Sequence, residues 1–175
     1  MSNLLTKKPA ADEHAPYYAK YIDAVPPGNV VETLSGQIEE TLATLRGASE
    51  EASLKRYAEG KWSLREVVGH MADTERIFAY RALRFARADA TPLAGFEQNS
   101  YIPAARFDAR DWRKLIEEFG AVRKSSVLLF DGLDAEAWER RGVASGNPVS
   151  VRALAWMIAG HEVHHMKIVR EKYLE

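Results

Sequence analysis

The sequence contains no cysteine. This absence excludes disulfide bonds, iron–sulfur clusters, thiolate zinc sites and a cysteine nucleophile supplied by the chain itself. A metal site would therefore depend on imidazole or carboxylate ligands, and imidazole suits zinc, nickel, iron or copper better than magnesium or calcium. Any thiol used in a reaction would have to come from a co-substrate.

The sequence also lacks a long apolar run and an excess of charge of either sign. No stretch approaches the roughly 18 apolar residues of a membrane span, and residues 1–14 lack the apolar core of a secretory signal. Lysine plus arginine (24) nearly balance aspartate plus glutamate (25), for a formal net charge of -1. We therefore expect a cytoplasmic protein that binds neither nucleic acid nor a membrane.

Four of the seven prolines lie near the N-terminus, at Pro9, Pro16, Pro26 and Pro27, and Gly28 follows them. We predict an irregular arm over residues 1–28 and one domain over residues 29–175. A chain of 175 residues with 46% hydrophobic residues can bury a substantial core.

Apolar residues recur at helical spacing in four later segments. The predicted helices span about 30–46, 63–87, from 108 or 111 to 132, and 150–173, with a short helical turn near 134–138. The second has the clearest start, because Ser63 and Glu66 form a capping box. Sustained period-two alternation is absent, so we predict no sheet. The pattern indicates an all-α four-helix bundle.

A long crossover joins the second and third helices over about residues 88–107. It can stretch ~60 Å at ~3.3 Å per residue, farther than the ~37 Å of a 25-residue helix. The third helix can therefore run parallel to the second, so an up-down-down-up order is as permissible as a simple meander. A connection of this length is usually functional or contains short structure of its own.

Histidines occupy the inward faces of two predicted helices. His161 and His165 lie one turn apart on the last helix, where two imidazoles can converge on one ion. His70 faces inward on the second helix and reaches the same level if these two helices are antiparallel. His164 lies about 80° from the centre of the inward face. Spacing alone supports a metal site and a hydrogen-bonded histidine core about equally.

Two motifs in the last helix suggest other metal sites. Residues 161–165 spell H-E-x-x-H, in which Glu162 would be the general base of a metalloprotease. That site needs a third ligand on a later element, and only Glu171 and Glu175 follow, in the same helix. Residues 162–165 also spell the E-x-x-H of diiron bundles, but a second copy is absent. We disfavour both interpretations.

The segment W-S-L-R-E-V-V-G-H-M-A-D-T-E-R at 62–76, followed by the histidine pair, resembles the DinB-like (DinB/YfiT) superfamily. The resemblance covers about residues 30–173. It implies an up-down-down-up bundle, commonly dimeric, with one divalent metal on a histidine of helix two and a pair on helix four. Carried over, the ligands are His70, His161 and His165, and the metal is zinc, nickel or iron.

Some members of that family resemble thiol-dependent transferases and others metal-dependent hydrolases. The resemblance therefore implies a homodimeric enzyme that acts on a small molecule, with a low-molecular-weight thiol as a candidate partner. Three protein ligands leave an open coordination position, as in catalytic zinc sites. The alternative is a non-catalytic, stress-related bundle that binds a metal or a ligand.

Several polar residues are candidates for the surroundings of this site. Those at helical offsets from His70 are Glu66, Asp73 and Thr74, and those of the crossover that could line a pocket mouth are Gln98, Asn99 and Tyr101. Each also has an ordinary explanation: Glu66 serves the capping box, Asp73 and the nearby Glu75 are solvated side chains, and the crossover residues are ordinary loop residues. We favour that explanation for each one individually.

Overall fold

The computed structural model describes residues 2–174, and four long helices form its framework. They are α1 (Val30–Arg46), α2 (Leu64–Ala86), α3 (Trp112–Asp131) and α4 (Val151–Lys172). Each begins after a polar residue whose side chain accepts a hydrogen bond from a backbone N–H of the first turn: Asn29, Ser63, Asp111 and Ser150. These caps satisfy amides that have no partner within the helix, and the predicted helix starts agree closely with them.

The helices run up, down, down and up. α1 packs against α3 and α4, and α2 packs against the same two helices, so α1 and α2 occupy opposite corners. Three contacts between helix ends fix the directions: Trp112 with Ala48, Tyr173 with Trp62, and Ser63 with Asp108. α3 is therefore antiparallel to α1, α4 is antiparallel to α2, and α2 and α3 are parallel. This is the up-down-down-up bundle that the long crossover permits.

The crossover contains short structure of its own, as its length indicates. A helix spans Gln98–Ala105, and a 3-10 turn spans Phe107–Ala109. The ring of Phe107 occupies space that a side chain at Gly69 would need, because a Cβ there would lie 2.3 Å from the ring. The crossover is thus packed directly onto α2 near its start.

The prediction of no sheet is wrong for one short segment. A two-stranded antiparallel hairpin joins β1 (Arg141–Ala144) to β2 (Asn147–Ser150) before α4. Ser145 and Gly146 both have positive φ, of 52° and 74°, as a tight hairpin turn requires. Four-residue strands are too short to show a clear period. The backbone of Leu93 in the crossover also donates a hydrogen bond to the Val143 carbonyl in β1 and accepts one from the Ser145 amide in the turn.

The N-terminal segment is more regular than the predicted irregular arm. Short helices span Ser2–Thr6 and Ala19–Ala24, with 3-10 turns at Ala11–Glu13 and Pro16–Tyr18. The helix Ala19–Ala24 packs on α4, where Gly160 lacks the side chain that would meet the carbonyl of Tyr21. The prolines delimit these short elements and do not prevent them. The division of the chain at residue 28 stays a prediction.

The buried core consists of two apolar clusters with a polar layer between them. One cluster surrounds Phe85, Phe130 and Trp156, and the other surrounds Leu64 and Phe119. Along the helices, several buried polar side chains fall between the clusters, namely Thr74, Glu75, Arg123, His161 and Glu162, and His70 lies one turn before Thr74. Within residues 2–174, no helix is both long and apolar enough to cross a membrane.

Candidate metal centre

The antiparallel packing of α2 and α4 brings three histidines together. The Nε2 atom of His161 lies 3.1 Å from Nε2 of His70 and 3.1 Å from Nε2 of His165. One nitrogen from each of the three rings lies within 4.8 Å of the other two. His70 and His161 are 4% and 7% exposed, so most of the cluster is shielded from solvent.

This arrangement of nitrogens fits a metal ion better than a set of hydrogen bonds. Two imidazoles that bind one tetrahedral ion at ~2.05 Å have nitrogens roughly 3.3 Å apart, close to the two observed separations. An imidazole nitrogen is either a donor or an acceptor, so Nε2 of His161 cannot donate to one neighbour and accept from the other. A cation would satisfy the three lone pairs together.

The surroundings keep the imidazoles neutral. Burial lowers the pKa of His70 to about 4. Burial also lowers the pKa of His161 well below 6.5, and the charges that His165 and His70 could carry lower it further. The pKa of His165 is likewise lowered, chiefly by burial. Neutral rings leave nitrogen lone pairs free to bind a metal near neutral pH.

Thr74 and Trp62 fix the position of His70. The Thr74 hydroxyl lies 3.4 Å from Nδ1 of His70 and can accept a hydrogen bond from it, which leaves the Nε2 lone pair directed at the other histidines. The indole of Trp62 packs against the His70 ring with centroids 4.9 Å apart. The carbonyl of Trp62 accepts a hydrogen bond of 2.6 Å from the Tyr173 hydroxyl, which ties the start of α2 to the end of α4.

An open cleft of about 290 Å³ reaches the histidines at His165. Its other lining residues include Trp62, Tyr57, Lys61, Gln98 and Asn99. Gln98 and Asn99 are therefore at the pocket, where the sequence places candidate residues, whereas Tyr101 packs against the ring of Phe96 and is 42% exposed. A larger cleft beside Trp112, of about 550 Å³, has none of the three histidines in its described lining, and we assign it no role.

Other polar candidates near His70 have partners of their own. Glu66 accepts from the backbone amide of Ser63 in the capping box and pairs with Arg56 at 2.7 Å. Asp73 pairs with Arg76 at 3.2 Å. The ordinary explanation therefore holds for both acids, and Thr74 is the residue that contacts the site.

His164 lies beside the cluster and does not belong to it. Its ring packs edge-on against Tyr21, with centroids 5.2 Å apart. It lies on the flank of α4, as its angular offset indicates.

A charged network beneath the histidines was missed by reasoning from the sequence, and the prediction that Glu75 is solvated is wrong, because this side chain is buried against Arg123. The Arg123 guanidinium donates to both carboxylate oxygens of Glu75 at 2.8 Å and to Glu162 at 2.5 Å, and Glu162 also accepts from the Thr41 hydroxyl at 2.6 Å. Glu162 is thus fully engaged, in an environment unlike that of a metalloprotease general base. The one available signal was the position of Arg123, which follows Phe119 by one turn on the buried face of α3.

Together, the fold and the site define a four-helix bundle with a mostly buried three-histidine cluster beside an open cleft. The family model of the DinB superfamily matches residues 33–169. The chain therefore belongs to this superfamily, as the motif around His70 indicates.

Two bacterial proteins and one further structure illustrate the similarity. A protein of Oceanobacillus iheyensis, named as a candidate metal-dependent hydrolase, is 27% identical over 144 residues, which cover 80% of this chain and 79% of that protein. YfiT from Bacillus subtilis, described as a probable metal-dependent hydrolase with an unusual four-helix bundle topology, has a TM-score of 0.66 at 15% identity, with 97% of each chain covered.

A mycothiol-dependent maleylpyruvate isomerase has a TM-score of 0.67 at 13% identity. The match covers 83% of this chain and 61% of the isomerase. At these identities the two structural matches establish the fold.

Proposed function

We propose that the protein is a metal-dependent enzyme that acts on a small molecule. One divalent ion, zinc, nickel or iron, would be held by His70, His161 and His165. The observation that carries this proposal is the convergence of three imidazole nitrogens, largely shielded from solvent, at the wall of an open cleft. The ion would supply Lewis-acid activation of a nucleophile, which is water in a hydrolase and an external thiol in a transferase.

The chain itself would bind the substrate and shield the site. Trp62 packs against the His70 ring and also lines the cleft, so it would shield this side of the bound ion. The amides of Gln98 and Asn99 offer both donors and acceptors to a polar substrate group. Because the chain has no cysteine, a thiol would enter through this cleft as a second small molecule.

The relatives support both reaction classes. A relative named as a metal-dependent hydrolase favours hydrolysis, and a neighbour named as mycothiol-dependent favours a low-molecular-weight thiol. The non-catalytic alternative is less well supported, because a purely structural site is usually closed by four protein ligands. Homodimer formation and a cytoplasmic location stay predictions.

Elemental analysis followed by a substrate screen tests this function. Purified protein should contain about one divalent ion per chain, and metal-loaded protein should either hydrolyse esters or amides or conjugate thiols to small electrophiles. The matched pair for the screen is His165→Ala, which should be inactive, and His164→Ala, which should remain active. A metal-loaded protein that is inactive in every assay would favour the non-catalytic alternative.

A further inference from the structure

Arg123 connects the other three helices of the bundle at one level. From α3, it donates two hydrogen bonds of 2.8 Å to Glu75 of α2 and one of 2.5 Å to Glu162 of α4. The same guanidinium donates to the carbonyl of Leu34 in α1 at 3.1 Å. Its relative exposure is 0%, so all these bonds form away from solvent.

Both carboxylates lie close to the histidine cluster along the chain. Glu75 follows Thr74, whose hydroxyl contacts Nδ1 of His70. Glu162 directly follows His161. The guanidinium therefore ties α2, just over one turn past His70, to α4, one residue past His161.

Stability alone is a poor explanation for this network. Burial lowers the pKa of Arg123, but the charges of Glu75 and Glu162 raise it by more, so the guanidinium remains charged. Buried ion pairs rarely stabilise more than apolar side chains of the same volume would, because desolvation offsets their attraction. What such a network does supply is a fixed geometry, since the planar guanidinium holds carboxylates in defined directions.

We propose that Arg123 is a positioning residue for the metal centre: by binding Glu75 and Glu162 together, it sets the spacing of α2 and α4 at which His70 and His161 can share one ion. The proposal rests on the proposed metal-binding function. Groups that orient metal ligands from outside the coordination sphere typically change metal affinity by ~10–100-fold. Loss of the hydrogen bonds from Arg123 to Glu75 and Glu162 should therefore weaken metal binding although all three histidine ligands are still present.

Cobalt(II) titration of the chelator-treated full-length protein provides the test. The visible absorption of bound Co²⁺ reports the coordination geometry independently of any enzymatic activity. We expect Arg123→Lys, which keeps the charge but loses the planar fork, to bind Co²⁺ at least ~10-fold more weakly than wild type with an altered spectrum. Phe130→Ala is the control. It also removes a buried side chain from α3, but one that belongs to the apolar cluster around Phe85 and Trp156 and not to the charged network.

A triple variant keeps the test informative if single substitutions prevent folding. Glu75→Leu, Arg123→Met and Glu162→Leu together replace the whole network by apolar side chains, a change that often preserves folding. A folded triple variant should also bind Co²⁺ at least ~10-fold more weakly. Unchanged affinity and spectrum in it, or an equal loss in Phe130→Ala, would overturn the positioning role. Failure of the wild-type protein to bind Co²⁺ would instead overturn the metal centre itself, and the role of Arg123 with it.

Discussion

The Nε2 atoms of His70 and His161 lie 3.1 Å apart, although 91 residues separate the two histidines along the chain. This contact exists because α2 and α4 are antiparallel neighbours, so the second turn of α2 meets the middle of α4. An ion bound there would link two helices that are distant in sequence, and its binding energy would add to the stability of the fold.

Alanine substitutions should distinguish the three clustered histidines from His164. His161→Ala and His165→Ala should each abolish tight metal binding, because two imidazoles hold an ion far less tightly than three. His164→Ala should leave the metal content near one ion per chain, because its ring faces Tyr21. Metal content after dialysis measures the effect, and equal losses in all three variants would mean that the wrong face of α4 has been assigned.

Acid should destabilise the metal-free protein. The unfolded chain has a histidine pKa near 6.5, and burial lowers the pKa of folded His70 to about 4. Between pH 4 and pH 6.5 the unfolded state binds more protons than the folded state. The contribution of His70 to the free energy of unfolding is therefore complete above about pH 6.5 and is lost as the pH falls toward 4. For His70 alone the loss is about 3 kcal/mol. Urea denaturation across this range measures it.

The bound metal should strengthen that pH dependence. Ligand histidines must be neutral, so metal-derived stability is present near neutral pH and is lost in acid. Thermal melts with and without a chelator should differ widely near neutral pH and converge near pH 4. Melts that coincide at neutral pH would argue against a stabilising ion.

Much of the bundle was predictable because helix caps and apolar periodicity are patterns within short segments of the sequence. The capping box of Ser63 and Glu66 and the cap at Ser150 specify helix starts within a few residues. The positions of His70, His161 and His165 followed from the same periodicity, combined with the antiparallel packing of two helices.

The features that sequence reasoning missed have two physical causes. The strands of the hairpin are too short to show a period, and the pairing of Arg123 with Glu75 and Glu162 depends on three helices that are distant in sequence. The apolar periodicity of a single helix does not indicate which side chains of the other helices it contacts.

Gly160→Ala should destabilise the protein although alanine is the better helix former. A Cβ at this position would lie 2.0 Å from the carbonyl oxygen of Tyr21, so the helix Ala19–Ala24 would have to move. Overpacking of this kind typically costs ~1–3 kcal/mol. Gly36→Ala is the matched control, because a Cβ at this exposed position of α1 would have no neighbour within 4 Å, and it should stabilise by ~0.5–1 kcal/mol. Equal urea midpoints for both variants would contradict the packing of the N-terminal segment on α4.

Glu162→Gln tests whether the H-E-x-x-H match has catalytic meaning. The amide can still accept from Arg123 or from Thr41, but it loses the charge attraction, so we expect ~1–3 kcal/mol of lost stability. Loss of a positioned general base typically costs ~10²–10⁴ in rate. Because Arg123 and Thr41 already occupy the Glu162 carboxylate, we expect the rate at saturating metal to fall less than about tenfold, or ~1.4 kcal/mol of barrier. A thousand-fold loss with metal content intact would restore Glu162 as the general base of a hydrolase.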